Sequence, residues 1–285
     1  MSALSFRFGT VGSPTSTPPK PGGSVGAVLR SAELGLYALE LGWVRAVRVT
    51  PETCAAIQAT AQEQSVLISV HAPYFINLNA DDEEWPKSRQ RLMDAAHYGH
   101  LAGATSIVFH PGSYFGNPPE AVLPVATARL QGCIDELRQA GNPVILRPET
   151  MGKSAMLGSL EDTLRMSQAI PGVLPCVDFA HLHARVGDGS MNAYDDWSRT
   201  LEAYGKSLGE AALKDLHVHL SGIEYGEKGE KEHLPLQESD LDLQAIFRAL
   251  LAFGCQGRLL CESPVMEDDA VYMRQTWSEI SGENY

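Results

Sequence analysis

Histidine, aspartate and glutamate side chains recur in this sequence at the ends of short apolar runs. Six successive runs carry them, at His71, His110, Glu149, Asp178, the pair His217 and His219, and Glu262. Neighbouring members of the series are about 30 to 45 residues apart, roughly the length of one strand with its following helix. Imidazole nitrogens and carboxylate oxygens are ligands that zinc and manganese ions take in proteins. The series therefore predicts a metal site wherever the fold brings these runs side by side.

Each of these residues alone has a simpler interpretation. A single histidine at the end of a strand is more often a hydrogen-bonded structural residue than a metal ligand. Glu149 and Glu262 could each be a buried acid that pairs with Arg147 or Arg258, and a single aspartate often caps the helix that follows it. Six such residues in succession are hard to obtain by coincidence, so the joint pattern favours the metal site.

Two further histidines extend the predicted ligand set. His181 follows Asp178 by three residues, which is about one helical turn. His233 lies in a long polar segment, I-E-Y-G-E-K-G-E-K-E-H-L-P-L, after the seventh apolar run. His183 is expected to lie outside the ligand set, because its direction differs from that of His181.

The apolar runs alternate with amphipathic stretches along the chain. Eight runs have the character of strands, at 4–9, 37–41, 66–72, 105–110, 143–149, 174–179, 215–221 and 257–263. Strands that are apolar on both faces and are separated by helices pair in parallel. Eight such units predict a single (β/α)8 TIM barrel over residues 1–285, with its active site at the C-terminal face of the strands. A doubly wound open sheet is the structural alternative, although no G-x-G-x-x-G sequence follows the first run.

The composition is that of an ordinary globular protein, with 44% apolar and 20% charged residues. No apolar stretch approaches the ~20 residues of a membrane span, and the first residues show no apolar secretion signal. Five scattered cysteines predict reduced thiols in a cytoplasmic protein. The net charge of −13 argues against nucleic acid or an anionic membrane as a partner, unless several of the acids bind metal ions.

Five short motifs coincide with the predicted ligands. They begin at His71 (H-A-P-Y-F-I-N-L), His110 (H-P-G-S-Y), Glu149 (E-T-x-G), Cys176 (C-x-D-x-x-H) and Leu260 (L-C-E-S-P). Together they resemble the motifs of the endonuclease IV family (AP endonuclease family 2), within the xylose-isomerase-like TIM barrel superfamily. The matches extend from the third apolar run to the eighth, over about 200 residues, and the first two are specific.

The resemblance implies a barrel enzyme that cleaves DNA beside abasic sites with three zinc ions. By motif match, the ligands would be His71, His110 and Glu149 for one ion; Glu149, Asp178, a histidine of the seventh run and Glu262 for a second; and His181 and His233 for a third. Glu149 and Glu262 are the expected catalytic carboxylates. Zinc is the expected metal, with manganese as the alternative.

The seventh run departs from the H-x-N-D motif of that family. Its sequence is L-H-V-H-L-S-G, from Leu216 to Gly222. Matching the residues that precede the run makes His217 the ligand, whereas matching H-L-S-G makes it His219. Both can point into the barrel, because alternate residues of a strand share a face. We expect His217 to be the direct ligand, with His219 nearer the barrel mouth.

The segment that carries His233 also departs from the family. The family has D-x-H there, with the aspartate as a ligand of the third ion, and Lys231 stands at that position here. A charged lysine cannot bind a cation. We therefore expect two or three divalent ions, with the third weakly held unless Glu230 or Glu232 folds inward, and Lys231 as a phosphate contact.

Substrate contacts are expected from aromatic and basic residues near the ends of the runs, namely Tyr74, Tyr114, Arg45 and Lys231. The expected partner is DNA with an abasic or damaged site, bound by a monomer that does not associate with membranes. The rival interpretation is a sugar isomerase or epimerase with one or two metal ions. Glu40 supports the rival, because G-x-x-x-x-E from Gly35 is similar to a segment of that wider superfamily. Glu40 could equally be a buried acid that pairs with Arg7 or Arg45.

Overall fold

The structure, a computed structural model, describes residues 5–284. Its strands are β1 (Phe6–Val11), β2 (Ala38–Gly42), β3 (Leu67–His71), β4 (Ser106–Phe109), β5 (Ile145–Pro148), β6 (Cys176–Asp178), β7 (Leu216–Leu220), β8 (Gly222–Gly226), β9 (Gly229–Leu234) and β10 (Gly257–Cys261). All but β8 and β9 form one parallel sheet, in the order β5-β4-β3-β2-β1-β10-β7-β6. Parallel bridges from Leu146 to Val173 and from Glu149 to Cys176 close it between β5 and β6. The eight predicted strands are confirmed, although Leu4, the predicted start of the first, lies outside the described residues.

Helices connect successive strands on the outside of the barrel. They are α1 (Gly23–Glu33), α2 (Pro51–Gln64), α3 (Trp85–Leu101), α4 (Pro119–Gln139), α5 (Leu160–Ala169), α6 (Phe179–Val186), α7 (Tyr194–Leu208), α8 (Leu243–Ala252) and α9 (Glu267–Ser281). The start of α2 shows how local sequence begins a helix. Thr50 Oγ1 accepts a hydrogen bond from the Thr53 amide at 3.2 Å, and Pro51 occupies the first turn. The predicted (β/α)8 barrel is confirmed. None of the helices within residues 5–284 is long and apolar enough to cross a bilayer.

An antiparallel hairpin of β8 and β9 extends from the C-terminal end of β7 and packs against α6. In the sequence this segment is a long polar stretch, because its polar residues hide any strand alternation. Gly229 permits the tight connection between the two strands with a φ of +94°. A register shift between Glu224 and Tyr225 marks a β-bulge, which changes the direction of the side chains opposite it.

Polar side chains lie at both ends of the barrel interior. Near the N-terminal ends of the strands, Arg147 is fully buried, and it donates hydrogen bonds to Ser106 Oγ at 2.9 Å and to Asp215 Oδ2 at 2.8 Å. Arg258 donates to Thr105 Oγ1 at 2.9 Å in the same layer. The interpretation that these arginines pair with Glu149 and Glu262 is therefore wrong. Those two carboxylates lie at the opposite end of the barrel and are free to face other partners.

The segment between β1 and α1 is fastened to the start of α9. The Glu267 carboxylate accepts hydrogen bonds from the Thr15 amide at 2.7 Å, from Thr15 Oγ1 at 3.0 Å and from the Ser16 amide at 2.7 Å. Burial opposes ionisation of this group, but hydrogen bonds from Ser16, from its own backbone and from Thr15 lower the pKa of Glu267 to about 2. The segment that follows the first strand is thereby held against the barrel on its C-terminal face.

Replacing Glu267 by Gln should destabilise the protein at pH 7 by about 1–2 kcal/mol, after allowance for solvent screening. Because the folded pKa lies below the ordinary value of 4.5, this stabilisation is complete above about pH 4.5 and disappears as the pH falls towards 2. Urea unfolding across that range should show the difference between variant and wild type shrinking. Glu279→Gln, on the exposed side of α9, is the control and should stay within about 0.5 kcal/mol of wild type. Equal losses for both variants would contradict the prediction.

Candidate metal centre

Three residues at the ends of β3, β4 and β5 form what we call the first donor group: His71, His110 and Glu149. Glu149 Oε2 lies 3.3 Å from His71 Nε2 and 3.4 Å from His110 Nε2. His71 Nδ1 lies 2.9 Å from the Ala72 carbonyl oxygen, to which it can only donate. The lone pair of His71 Nε2 is therefore available to a metal ion next to Glu149.

The second donor group shares Glu149 and adds Asp178, His219 and Glu262, with donor atoms within 4.8 Å of one another. His219 Nδ1 lies 3.5 Å from Glu149 Oε1 and 3.4 Å from Glu262 Oε1. Asp178 is held in place at the start of α6, where its Oδ1 accepts the His181 amide at 2.7 Å. Four barrel strands thus direct these four side chains into one space.

Three atoms of the second donor group are buried and have no hydrogen-bond partner among residues 5–284: Glu149 Oε1, Asp178 Oδ2 and His219 Nδ1. A buried charged or polar atom without a partner is costly, and such groups are normally paired or bound to a metal ion. Oxygen and nitrogen atoms that converge with their lone pairs facing each other are completed by a divalent cation. The residues present therefore fit a metal ion.

The pKa shifts within the second donor group indicate an excess of negative charge. Burial and the neighbouring carboxylates of Glu149 and Glu262 raise the pKa of Asp178, and the charge of His181 offsets this only in part. Burial works against a charged His219, yet the surrounding acids raise its pKa well above the ordinary value. Protons on the histidines therefore compensate the acids wherever no metal ion does so.

The third donor group is His181, Glu230 and His233, formed between α6 and the hairpin strand β9. His181 Nε2 lies 3.2 Å from His233 Nε2 and 3.6 Å from Glu230 Oε2. Lys231, which aligns with the aspartate of the family motif, does not join this group, because its Nζ pairs with Glu224 Oε1 at 2.8 Å on the exposed side of the hairpin. The register shift at Glu224 directs Glu230 inward instead of Lys231.

The two histidines of β7 lie at different depths in the barrel. His219 belongs to the second donor group, whereas His217 lies deeper, with Nε2 2.8 Å from Glu40 Oε2. Burial lowers the pKa of His217 to about 3, so this imidazole is neutral at ordinary pH. The structure thus places His219, not His217, with the carboxylates of Glu149, Asp178 and Glu262, and the expected ligand role passes to His219.

The predicted substrate contacts separate into rim residues and buried ones. Tyr74 is 49% exposed, and its ring stacks on that of His110 with centroids 5.0 Å apart. Arg45 is exposed on the segment after β2, beside the Val44 carbonyl that accepts the Tyr74 amide at 2.9 Å. Tyr114 was expected at the rim, but it is buried and its hydroxyl donates to Asp162. Tyr114 therefore stabilises the start of α5 and does not face a substrate.

Two exposed aromatic residues, Phe75 and Phe115, are absent from the substrate contacts predicted from the sequence. Phe75 is 64% exposed and Phe115 is 65% exposed, and both lie on segments that leave the C-terminal ends of barrel strands. Phe75 stands inside the H-A-P-Y-F-I-N-L motif, and this position was the available signal. Large exposed aromatic rings on the face that carries the metal candidates mark a surface able to stack on a partner.

His183, expected outside the ligand set, anchors the hairpin to the barrel. Its ring is buried, and its Nε2 lies 3.0 Å from Asp240 Oδ1. The other oxygen of Asp240 accepts a hydrogen bond from the hydroxyl of Tyr225 on β8 at 2.7 Å. The strand pair that carries Glu230 and His233 is thus tied to α6 through Asp240.

Known proteins of similar sequence extend over most of this chain. A family model described as xylose isomerase-like TIM barrel matches residues 28–279. An uncharacterized protein of Methanocaldococcus jannaschii is 36% identical over 274 residues, which cover 96% of this chain and 97% of the other. Endonuclease 4 of Thermus thermophilus is 28% identical over 207 residues, which cover 69% of this chain and 71% of the other.

Solved structures with this fold include enzymes with different chemistries. Endonuclease IV from Thermus thermophilus aligns with a TM-score of 0.72 and 22% identity, over 96% of this chain and 99% of the other. A D-tagatose 3-epimerase-like protein aligns with a TM-score of 0.70 and 19% identity, over 91% and 96%. At these identities the two alignments show a shared fold alone. Because the family model matches most of the sequence, the chain belongs to the xylose isomerase-like TIM barrel family.

Proposed function

We propose that the protein is a metal-dependent phosphodiesterase that hydrolyses DNA at abasic or otherwise damaged sites. The observation that carries the proposal is the third donor group, which lies beside two groups that share Glu149. Phosphodiester hydrolysis requires an activated water, neutralisation of the phosphate and stabilisation of the leaving oxygen, and adjacent metal ions meet these needs. The similarity to Endonuclease 4 of Thermus thermophilus supports the same reaction.

Each donor group would hold one divalent ion. The proposed ligands are His71, His110 and Glu149 for the first; Glu149, Asp178, His219 and Glu262 for the second; and His181, Glu230 and His233 for the third. This mixture of nitrogen and oxygen donors suits zinc, with manganese as the alternative. When bound, the ions supply a hydroxide near neutral pH and stabilise charge on the phosphate and leaving oxygen.

The side chains of this chain have distinct tasks in the proposed reaction. Glu149 directs one oxygen to each of the first two donor groups, so it can set the separation of their ions. The Glu262 side chain is 10% exposed, so Glu262 is the acid of the second donor group that borders the barrel mouth. Tyr74 offers an exposed ring for stacking on a displaced nucleotide, and Arg45 offers charge to a phosphate.

The second candidate function is that of a sugar isomerase or epimerase. The second donor group alone provides enough ligands for a one-metal enzyme of that class, and the net charge of −13 does not favour a polyanionic substrate. The third donor group and the exposed rings of Phe75 and Phe115 have no task in that reaction. We therefore favour the nuclease.

Metal analysis combined with two activity assays tests the proposal. We expect about three equivalents of zinc per chain by elemental analysis, and strand cleavage at a single abasic site in a labelled duplex. Cleavage should disappear on treatment with a chelator and return with zinc, while an undamaged duplex of the same sequence remains intact. If the fully metal-loaded protein leaves the abasic duplex intact but interconverts ketose epimers, the second candidate function is correct.

We further propose that the protein acts as a single-domain monomer in the cytoplasm. One barrel with its hairpin provides all three donor groups, so no second chain is needed to complete them. All five cysteines are buried as free thiols, a state that a reducing compartment preserves.

A further inference from the structure

Glu40 lies in the middle of the barrel, below the candidate metal centre, and is fully buried. Its Oε2 accepts hydrogen bonds from Ser69 Oγ at 2.7 Å and from His217 Nε2 at 2.8 Å. Its Oε1 lies 3.1 Å from His219 Nε2 in an ion-pair contact, and neither of these two atoms has a hydrogen-bond partner within residues 5–284. The expected pairing of Glu40 with Arg7 or Arg45 is therefore wrong. The proposed hydrolysis assigns no task to this carboxylate.

The contacts of Glu40 determine which ring nitrogens of two histidines carry protons. An ionised carboxylate accepts hydrogen bonds and cannot donate them. The proton in the hydrogen bond with His217 therefore lies on its Nε2. The negative charge of Oε1, 3.1 Å from His219 Nε2, favours a proton on that nitrogen as well. His219 is left with Nδ1 directed at the carboxylates of the second donor group, 3.4 Å from the nearest of them. In a histidine that binds a metal, a hydrogen bond donated by one ring nitrogen leaves the other ring nitrogen as the metal ligand.

We infer that Glu40 is a positioning residue, which holds His219 in its Nε2–H form so that Nδ1 is the metal ligand. The inference rests on the proposed metal role of the second donor group. Carboxylate partners of this kind fix the orientation of a histidine and raise its basicity, and their loss lowers metal affinity about 10–100-fold. Glu40 acts through His219 and does not reach the reacting groups.

A different interpretation of the same layer is a further metal ion. Cys176, His217 and His219 have donor atoms within 4.8 Å of one another. Arg258 is the neighbour of His217 in the sheet register, and its guanidinium is buried, so positive charge already lies beside this layer. Because Glu40 also has hydrogen-bond donors already, we favour the positioning role. The test below therefore includes an ion bound by Cys176 as one possible outcome.

The test compares Glu40→Gln with Ser69→Ala in the zinc-loaded protein. Glutamine keeps the shape of the side chain but replaces one acceptor oxygen by an NH2 donor, so it cannot accept from both histidines in the same way. We expect chelator competition to show an affinity of the second donor group about 10–100-fold lower in E40Q. Ser69→Ala removes the other hydrogen-bond partner of the same carboxylate and should change that affinity less than about twofold.

Nitrogen-15 NMR of the histidine rings in zinc-loaded wild type gives a readout that a purely structural role would not move. We expect a proton on Nε2 of His219 and zinc on Nδ1, and loss of this single form in E40Q. Zinc bound through Nε2 in the wild type would overturn the inference even if E40Q failed to fold. Equal zinc affinities of folded E40Q and S69A would overturn it as well.

Cobalt substitution separates the positioning role from the further ion. A sulfur-to-cobalt charge-transfer band in the wild type, absent from Cys176→Ser, would show an ion bound by Cys176 and overturn the inference. We expect no such band. All of these readouts concern metal binding and ring protonation. A protein that binds zinc as expected but leaves abasic DNA intact would refute the proposed function and leave the role of Glu40 standing.

Discussion

Replacing Glu149 by Gln is expected to lower the rate of abasic-site cleavage by about 10²–10³-fold or more while the barrel still folds. Glu149 is the carboxylate that both the first and the second donor groups contain. The change removes one negative charge from two proposed metal sites and leaves an amide nitrogen where an oxygen donor stood. Its effect on activity should therefore exceed that of any single change at the rim.

Three measurements on Glu149→Gln check this expectation: single-turnover cleavage, zinc content and thermal unfolding. Glu232→Gln is the matched control, because Glu232 is exposed on β9 and belongs to none of the donor groups. The control should cleave at the wild-type rate with the full zinc content. Wild-type activity in Glu149→Gln would remove the shared carboxylate from the proposed mechanism.

Replacing Arg147 by Met should produce a loss of stability of about 3 kcal/mol or more. Arg147 is fully buried at the N-terminal end of the barrel, and it donates to Ser106 Oγ, to the Pro175 carbonyl and to Asp215. Methionine fills part of the space but leaves the hydroxyl and the carbonyl without their donor. For a chain of this length, that loss corresponds to a melting temperature lower by about 5 °C.

Urea and thermal unfolding of Arg147→Met measure the effect, with Arg165→Met as the matched control. Arg165 is 55% exposed on α5 and lies 3.5 Å from Glu161, so its ion pair is worth less than about 1 kcal/mol. A loss that is no greater for Arg147 than for Arg165 would mean that the buried guanidinium contributes little. The zinc content of both variants should remain that of the wild type.

The eight strands could be predicted because each barrel strand is an apolar run bounded by polar residues. The same regularity predicted that His71, His110, Glu149, Asp178 and Glu262 lie on one face. In parallel strands the C-terminal ends meet at that face, and the structure brings these side chains together. Composition and spacing thus predict the fold and the position of most candidate ligands along the barrel axis.

The depth of His217 and His219 could not be predicted in the same way. Both point inward because they are two residues apart in β7, so alternation cannot choose between them. The choice depends on register, which pairs His219 with Asp178 and His217 with Cys176 on the neighbouring strand. A register is a property of two strands, and neither sequence alone contains it.

The inward direction of Glu230 was equally hidden, because it depends on a local break in strand pairing. Regular alternation from His233 would direct Lys231 to the same side of β9. The register shift at Glu224 and Tyr225 interrupts that alternation, and Glu230 faces His181. Tyr114 was misplaced for a related reason, since its burial depends on Asp162, a partner that is distant in sequence.

The hairpin of β8 and β9 gives the active face a modular construction. Two members of the third donor group, Glu230 and His233, lie on this excursion, whereas the first two groups consist of residues at or next to the barrel strands. Exchange or shortening of residues 222–234 would therefore remove one donor group and leave the other two intact. In evolutionary terms, a barrel of this kind could gain or lose the proposed third metal site through one connecting segment, without any change to its barrel strands.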